Sequence, residues 1–390
     1  MLDLSFTETI KYNKSGPARY CNRETVWNEI EKLLVPFGRK TIVSGGTRSR
    51  ASIADKLFPA LDKSGIEYIV NPFVGETCLI NINKLVDMCK EFKPDFIIGT
   101  GGGKSLDTAK YAAELYGVPV VTIPTIAATC AASSNQIIVY SDEGEYLENV
   151  YPKTNPPLVI TDPEVIVNAP IEYFISGIYD SLAKWYEGSA SLPGSDNADV
   201  FDYMALSIAK MLKNTIYEEA AAAMEAIKKK EINKEFIDIT NLNIYTASTV
   251  QALGIKAVRN GIAHSIQNGL TLLEGSHDVT HGEKVAYGIA VQLNVLHSPK
   301  EELDELIDLY KKLGLTPTFK GLNLKFTEET VRVVAHKAVT DVLMAAKPFD
   351  VISEDMLCEA MTNLEAMSVG ESIYRTNWRE VETKPTRRIL

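Results

Sequence analysis

From Lys40 to Pro124 the hydrophobic positions switch repeatedly between short continuous runs and a three-to-four-residue spacing. Lys40-Thr-Ile-Val-Ser44 is a β-branched run that stops at Gly45-Gly46, and residues 51–64 then carry Ile53, Leu57 and Leu61 at helical spacing. Residues 67–70 form a second short run, followed by a helical stretch from Ile82 to Phe92. Asp95-Phe-Ile-Ile-Gly99 is apolar throughout its middle, as a strand covered on both faces must be. A glycine-rich turn leads into a helix with Leu106, Ala109, Ala113 and Tyr116 on one stripe, and Pro119–Pro124 reads as the next strand. Strands alternating with helices of this length predict βαβ units and a mainly parallel sheet.

The pattern changes between Tyr151 and Pro170, where five prolines (Pro152, Pro156, Pro157, Pro163, Pro170) exclude a long helix. Beyond Pro170 residues 172–190, 197–213, 217–230 and 281–296 all show helical spacing. The spacing therefore predicts an α/β domain over residues 1–165 and an all-helical domain over 166–390, with chemistry in the groove between them. Lys228-Lys-Lys-Glu with Lys234 reads as a solvated helix end.

Composition narrows the function classes. The chain has 390 residues, and 40 Lys and Arg against 51 Asp and Glu give a net charge of −11, which repels nucleic acid and anionic membranes alike. No apolar run approaches the roughly 20 residues of a bilayer span, and the N-terminus lacks the basic-then-apolar layout of a signal peptide. The five cysteines (Cys21, Cys78, Cys89, Cys130, Cys358) form no C-x-x-C pair, which points to reduced thiols in a cytoplasmic protein rather than a disulfide scaffold or a cysteine zinc site.

Two local signals carry chemistry. The first is Ile98-Gly99-Thr-Gly101-Gly102-Gly103-Lys104-Ser105, with a strand before it and a helix after it. Glycines let backbone approach a phosphate, and the helix start then presents its N–H groups. Ile98 stands where a nucleotide-triphosphate loop needs glycine, and the spacing is not G-x-G-x-x-G. A tight turn without a ligand is the alternative. Three consecutive glycines exceed what such a turn needs, so pyrophosphate binding is the better reading. The second signal is Asp180, His264 and His281, all on predicted helices, with small neighbours Gly261, Ala263, Gly282, Ala286 and Gly288 that would let helices close around an ion. One carboxylate and two imidazoles suit zinc or ferrous iron with positions left open for substrate. By spacing alone, helical histidines are more often hydrogen-bonded structural groups. His297 and His336 read as surface or structural residues.

Together these pieces resemble the iron-containing alcohol dehydrogenase superfamily, most closely its glycerol dehydrogenase branch. The resemblance rests on an ordered series: Gly101-Gly-Gly-Lys104-Ser-Leu-Asp107-Thr-Ala-Lys110, Ile123-Pro124-Thr125 through Cys130 to Ser134, Val139-Tyr140-Ser-Asp142-Glu143-Gly144-Glu145, Gly177-Ile-Tyr-Asp180, Ala263-His264-Ser-Ile-Gln-Asn268-Gly269 and His281-Gly282-Glu283-Lys284-Val285-Ala286. It implies a Rossmann-like, dinucleotide-binding parallel-sheet domain followed by a helical one, the dehydroquinate synthase/iron-containing alcohol dehydrogenase-like fold. Gly102, Gly103 and Lys104 would meet the cofactor's pyrophosphate, while Thr125, Ser134 and Tyr140 would line the cofactor between adenine and nicotinamide. Asp180, His264 and His281 match the family's metal ligands and would make up its catalytic centre. The implied reaction is metal-assisted hydride transfer between a small alcohol or 2-hydroxy acid and NAD(P), in a protein expected to be a homo-oligomer. A dehydroquinate synthase-type lyase would need more basic residues near the histidines than this chain has, and a non-catalytic relative would have Lys184 in place of the ion.

Three positions depart from the glycerol dehydrogenase pattern. Cys130 replaces an aspartate that contacts polyols, and Lys184 stands where iron enzymes often have a further histidine. Gly45-Gly46-Thr47-Arg48 lacks the carboxylate typical of NAD-preferring members. These departures point to zinc rather than iron, to a lean toward NADP, and to a substrate bound near Cys130 and Lys184 that is a small 2-oxo or 2-hydroxy acid or a simple ketone; the alternative is that Cys130 merely packs against the cofactor and the substrate remains glycerol or another diol.

Overall fold

The computed structural model describes residues 15–142, 144, 146–196, 198–254, 258, 261–344 and 348–368. Glu143, Glu145 and Asn260 of the motif regions, Asn197 and the N-terminal nonapeptide lie outside the described residues.

Six strands form one sheet: β1 (Arg19–Asn22), β2 (Lys40–Gly45), β3 (Glu67–Pro72), β4 (Phe96–Gly101), β5 (Val120–Pro124) and β8 (Leu158–Thr161), with β6 (Ile137–Tyr140) and β7 (Tyr146–Val150) set apart as an antiparallel hairpin. The sheet order is β1-β8-β5-β4-β2-β3, and every pair is parallel. Helices α1 (Ile30–Leu34), α2 (Thr47–Ala51), α3 (Ala54–Lys63), α4 (Leu79–Phe92) and α5 (Gly103–Tyr116) alternate with the strands. Strand alternation explains the burial on both faces. Val43, Phe96, Ile98, Val121 and Ile123 pack with Leu57 and Leu61 of α3, whereas Ile42 and Ile97 pack on the other face with Leu85 and Cys89 of α4 and Ala109, Ala112 and Ala113 of α5.

The strand order reverses between β2, whose next strand in sequence lies on one side, and β4, whose next lies on the other. In open α/β sheets the carboxyl ends at such a switch point form the binding crevice. Gly45 ends β2 opposite Thr100 of β4, so the glycine-rich turn sits at that crevice.

The second half is helical: α6 (Pro163–Asn168), α7 (Ile171–Ser191), α8 (Val200–Lys229), α9 (Lys234–Asn241), α10 (Ala247–Leu253), α11 (Ile262–Leu270), α12 (His281–Val295), α13 (Lys300–Leu313), α14 (Glu328–Val339) and α15 (Glu354–Ser368). Its core reaches into the first half, because Leu106, Ala127, Ala132 and Val159 join Phe174, Ile178 and Leu182 in one cluster. No helix among the described residues is long and apolar enough to cross a membrane.

Three sequence expectations change. The stretch over residues 51–64 splits at Ile53, whose backbone (φ −127°, ψ 0°) leaves the helix, so α2 is a separate turn tied to β2 by Arg50 Nε donating to Gly45 O at 2.9 Å. The two helices expected over 197–213 and 217–230 are the single α8, because Leu212, Ile216, Ala220 and Ala223 continue one buried stripe through Asn214-Thr215. Its end is not purely solvated, since Lys230 closes the helix at φ 58° and its ammonium donates to Val167 O.

Candidate active site

At the crevice, Gly101 adopts φ +129°, a conformation that L side chains rarely take, and its carbonyl accepts the N–H of Thr125 at the start of the next loop. Gly102 precedes α5 as its N-cap and supplies no side-chain cap, so the first turn of a 14-residue helix meets whatever lies in the crevice without a protein side chain on its N–H groups. A Cβ on Gly103 would have ordinary contacts only, 3.7 Å from Ala131 Cβ and Thr129 Oγ1. Space, not fold, is what glycine provides there. Gly103→Val is therefore expected to leave the melting temperature within about 2 °C, a surface-scale change, while raising the KM for the dinucleotide at least tenfold. Thermal melts and steady-state kinetics check both parts.

The motif that follows divides into outward and inward residues. Lys104 is exposed and pairs with Glu76 at 2.5 Å, so this cation stands at the rim of the crevice already held by a carboxylate. Asp107 and Lys110 point inward as a buried ion pair, 2.8 Å apart. The Lys110 ammonium also donates to the carbonyls of Ala131, Ser134 and Gln136, and Asp107 accepts the N–H of Ile138. The pair thus fastens the loop between β5 and β6 onto α5. That role was not legible in the sequence, where a lysine on a helical stripe reads as solvent-facing.

The fastened loop spans both chemical regions. Ile126, Thr129 and Ala131 lie against Gly102 and Gly103. Thr125 is buried beside Gly101, and Ser134 is buried with its hydroxyl accepting Gln136 N–H at 2.9 Å. Tyr140 ends β6, with its N–H on Thr77 O, and burial raises its phenol's pKa. Cys130, on the same loop, is buried and donates to Gln251 Oε1 at 3.3 Å. Burial pushes its thiol up to about 11 despite the nearby Lys184 ammonium, with Asp180 adding to the rise. The side chain is neutral at ordinary pH.

Three helices bring the remaining residues together. Asp180 lies in the middle of α7, His264 in the first turn of α11 and His281 at the start of α12. Their approach depends on small residues as the sequence anticipated, because a Cβ on Gly282 would lie 2.0 Å from Ser176 O and one on Gly288 2.2 Å from Ala263 O. The Nε2 atoms of His264 and His281 lie 3.3 and 3.4 Å from the same oxygen, Asp180 Oδ1, and one donor atom from each residue falls within 4.8 Å of the others. A tetrahedral ion with bonds of about 2.0–2.1 Å separates its ligand atoms by about 3.4 Å. The donor set and its spacing fit a divalent metal. Lys184, one turn after Asp180, brings its ammonium to 3.6 Å from that oxygen.

Electrostatics follow from the packing. Burial opposes the Asp180 carboxylate, but Lys184 and the bonds from both imidazoles hold its pKa well below the usual range. Burial likewise opposes the Lys184 cation, yet Asp180, Cys130 and Glu187 keep its pKa raised. Burial and the neighbouring His264 and Lys284 lower His281 despite Asp180. Burial would lower His264 as well, but Glu187 and Asp180 outweigh it and carry the value to about 9. Glu187, absent from the candidates read from sequence, is the buried partner of His264 Nδ1 at 2.7 Å. Its signal was its position seven residues after Asp180, two turns along one face. His277 and His336 are exposed and pair with Asp278 and Glu354, and His297 is exposed.

Comparison with known proteins agrees with this layout. A family model described as iron-containing alcohol dehydrogenase matches residues 17–163. Glycerol dehydrogenase of Escherichia coli O6:H1 is 30% identical over 84% of this chain and 89% of its own length. Hydroxycarboxylate dehydrogenase A of Escherichia coli K12 is 31% identical over 82% of this chain and 88% of its own. Among solved structures, glycerol dehydrogenase from Schizosaccharomyces pombe superimposes with a TM-score of 0.83 at 26% identity, covering 92% of each chain.

Proposed function

Because the chain belongs to the iron-containing alcohol dehydrogenase family, the metal-dependent, NAD(P)-linked alcohol oxidoreductases, we propose that it reduces small 2-oxo acids, or oxidises the corresponding 2-hydroxy acids, at an ion held by Asp180, His264 and His281. The observation that carries the reading is the meeting of those three donor groups beside the Lys184 ammonium. Residues 1–165 would bind the dinucleotide through Gly102, Gly103, Lys104, Thr125, Ser134 and Tyr140, and residues 166–390 would bind metal and substrate.

A divalent ion in this site supplies Lewis acidity toward an alcohol or carbonyl oxygen, and the nicotinamide supplies or accepts the hydride. The chain's own residues do the rest. Asp180 is held ionised by its neighbours and contributes a full negative charge to the ligand set. Lys184 keeps its proton and offers a cation to a substrate carboxylate. Cys130 presents a neutral thiol, so nothing at that position repels an acid. The ion we propose is zinc, which is content with three protein ligands and an open position, since a lysine occupies the place one turn after Asp180. Exposed Val200, Tyr203, Met204 and Met211 share one face of α8 and support self-association.

The test is a kinetic panel of 2-oxo acids, ketones and dihydroxyacetone with Lys184→Met beside the parent, metal content being measured in both. The account expects 2-oxo acids to be preferred and kcat/KM for them to fall about 10- to 100-fold in the variant, the scale of a charged hydrogen bond. Higher activity on dihydroxyacetone than on 2-oxo acids would reject the acid reading. A diol dehydrogenase is the second reading, favoured by the Cys130–Gln251 bond, which gives the thiol a packing role instead of a substrate contact.

For the cofactor, we propose acceptance of NADPH at least as readily as NADH. β2 ends at Gly45 and Gly46 follows it, with no carboxylate to meet an adenosine 2′-phosphate, and Arg48 of α2 is exposed beside them. Arg48→Ala is expected to raise KM for NADPH several-fold more than KM for NADH. A strong NADH preference that the substitution leaves unchanged contradicts this.

A further inference from the structure

Helix α11 begins after Gly261, which offers no side-chain cap, yet two N–H groups of its first turn are satisfied from neighbouring helices. Gln292 Oε1 of α12 accepts Ile262 N–H at 3.2 Å, and Gln292 Nε2 is itself anchored on Tyr186 O. Glu187 Oε1 of α7 accepts the backbone N–H of His264 at 2.9 Å, while Glu187 Oε2 lies 2.7 Å from Nδ1 of the same residue. The Glu187 carboxylate is 4% exposed, and a Cβ on Gly261 would lie 2.2 Å from its carboxyl carbon, so the glycine is what admits it. Asp180 and Glu187, seven residues apart on one face of α7, thus grip the His264 imidazole at both ends, Nε2 facing Asp180 and Nδ1 facing Glu187.

We infer that Glu187 is a positioning residue that fixes the tautomer and orientation of His264, so that its Nε2 lone pair faces the ion. The inference rests on the metal reading above. An ionised carboxylate can only accept hydrogen bonds. With Oε1 on the backbone N–H, Oε2 holds the proton on Nδ1, so it is the Nε2 proton that leaves when an ion binds and Nε2 that becomes the donor atom toward the metal. The second carboxylate also fixes the ring plane, because it is bonded to the backbone and the side chain of one residue together.

Glu187→Gln separates this role from simple helix capping. The amide oxygen can still cap His264 N–H, but its NH₂ then faces Nδ1 and favours the opposite tautomer. The dissociation constant for zinc, measured by chelator competition, is expected to rise 10- to 100-fold, with circular dichroism and dinucleotide binding unchanged. Gly261→Ala, which displaces the carboxylate without altering it, should weaken zinc binding in the same direction and serves if the glutamine variant does not fold. Gln292→Leu, which removes a cap without touching the imidazole, should lower the melting temperature and spare zinc affinity. Parental zinc affinity in Glu187→Gln, or in Gly261→Ala if that is the variant that folds, overturns the inference. The parent and Asp180→Asn are measured alongside. If the parent takes up no zinc, or Asp180→Asn binds it as tightly, the metal reading itself fails.

Discussion

Asp180→Asn is expected to lose the ion and to lower kcat/KM by about a thousandfold or more, since Lewis-acid stabilisation is worth several kcal/mol and each 1.36 kcal/mol is a factor of ten. The reason lies in the geometry. Asp180 Oδ1 is the one atom to which both imidazoles and the Lys184 ammonium converge. Asparagine preserves the shape of the side chain but removes the charge that offsets both a divalent ion and a nearly buried lysine. Breaking one partner of such a pair also leaves an uncompensated cation, so a fall in stability accompanies the loss of activity. Metal content and kinetics of the purified variant are the measurements. Retained metal with activity within tenfold of the parent would show that Asp180 is not a ligand.

Lys110→Met is expected to give a large loss of stability, on the order of 3–5 kcal/mol, the usual cost of stranding half of a buried ion pair. Lys110 is 2% exposed, and it holds Asp107 and three carbonyls of the loop between β5 and β6. Methionine fills similar volume but leaves those acceptors and the Asp107 carboxylate without their donor. Denaturant unfolding measures the effect. Asp107→Asn combined with Lys110→Met should recover part of it, because the double change removes both buried charges; a double variant no more stable than the single would argue that the ion pair is not the source. The dinucleotide KM is expected to rise as well, since the same loop lies against Gly102 and Gly103.

The parts of the fold that were legible in the sequence are those where burial writes an unbroken pattern. Strands β2, β4 and β5 are covered on both faces, so Ile42-Val43, Phe96-Ile97-Ile98 and Val120-Val121 stand out as apolar runs between glycines and prolines. The β6–β7 hairpin did not stand out, because only Ile137 and Val139 are buried in it and its second strand faces solvent with Tyr146, Leu147 and Glu148. Asn214-Thr215 between the two predicted stretches has weak helix propensity, and tertiary burial of Leu212 and Ile216 overrides it to make α8 one helix. The site divides in the same way. Periodicity places Asp180, His264 and His281 on helices and their donor types suit a metal, but spacing alone favours structural histidines over a shared site, since Asp180 and His264 are 84 residues apart and meet through helix packing; the family resemblance is what singles the set out. The roles of Lys110 and Glu187 are not legible because a buried charge is recognisable only by the partners that satisfy it, and the loop carbonyls that Lys110 holds and the imidazole that Glu187 holds lie on other elements.

The central claim, that hydride transfer here depends on one divalent ion held by Asp180, His264 and His281, is tested most directly by metal analysis coupled to activity. Protein purified without chelator is assayed with NADPH or NADH and a 2-oxo acid, stripped with EDTA, and assayed again after zinc is returned. The account predicts one ion per chain, activity lost with the ion and regained with zinc. Protein that carries no metal and works equally well before and after EDTA would contradict it.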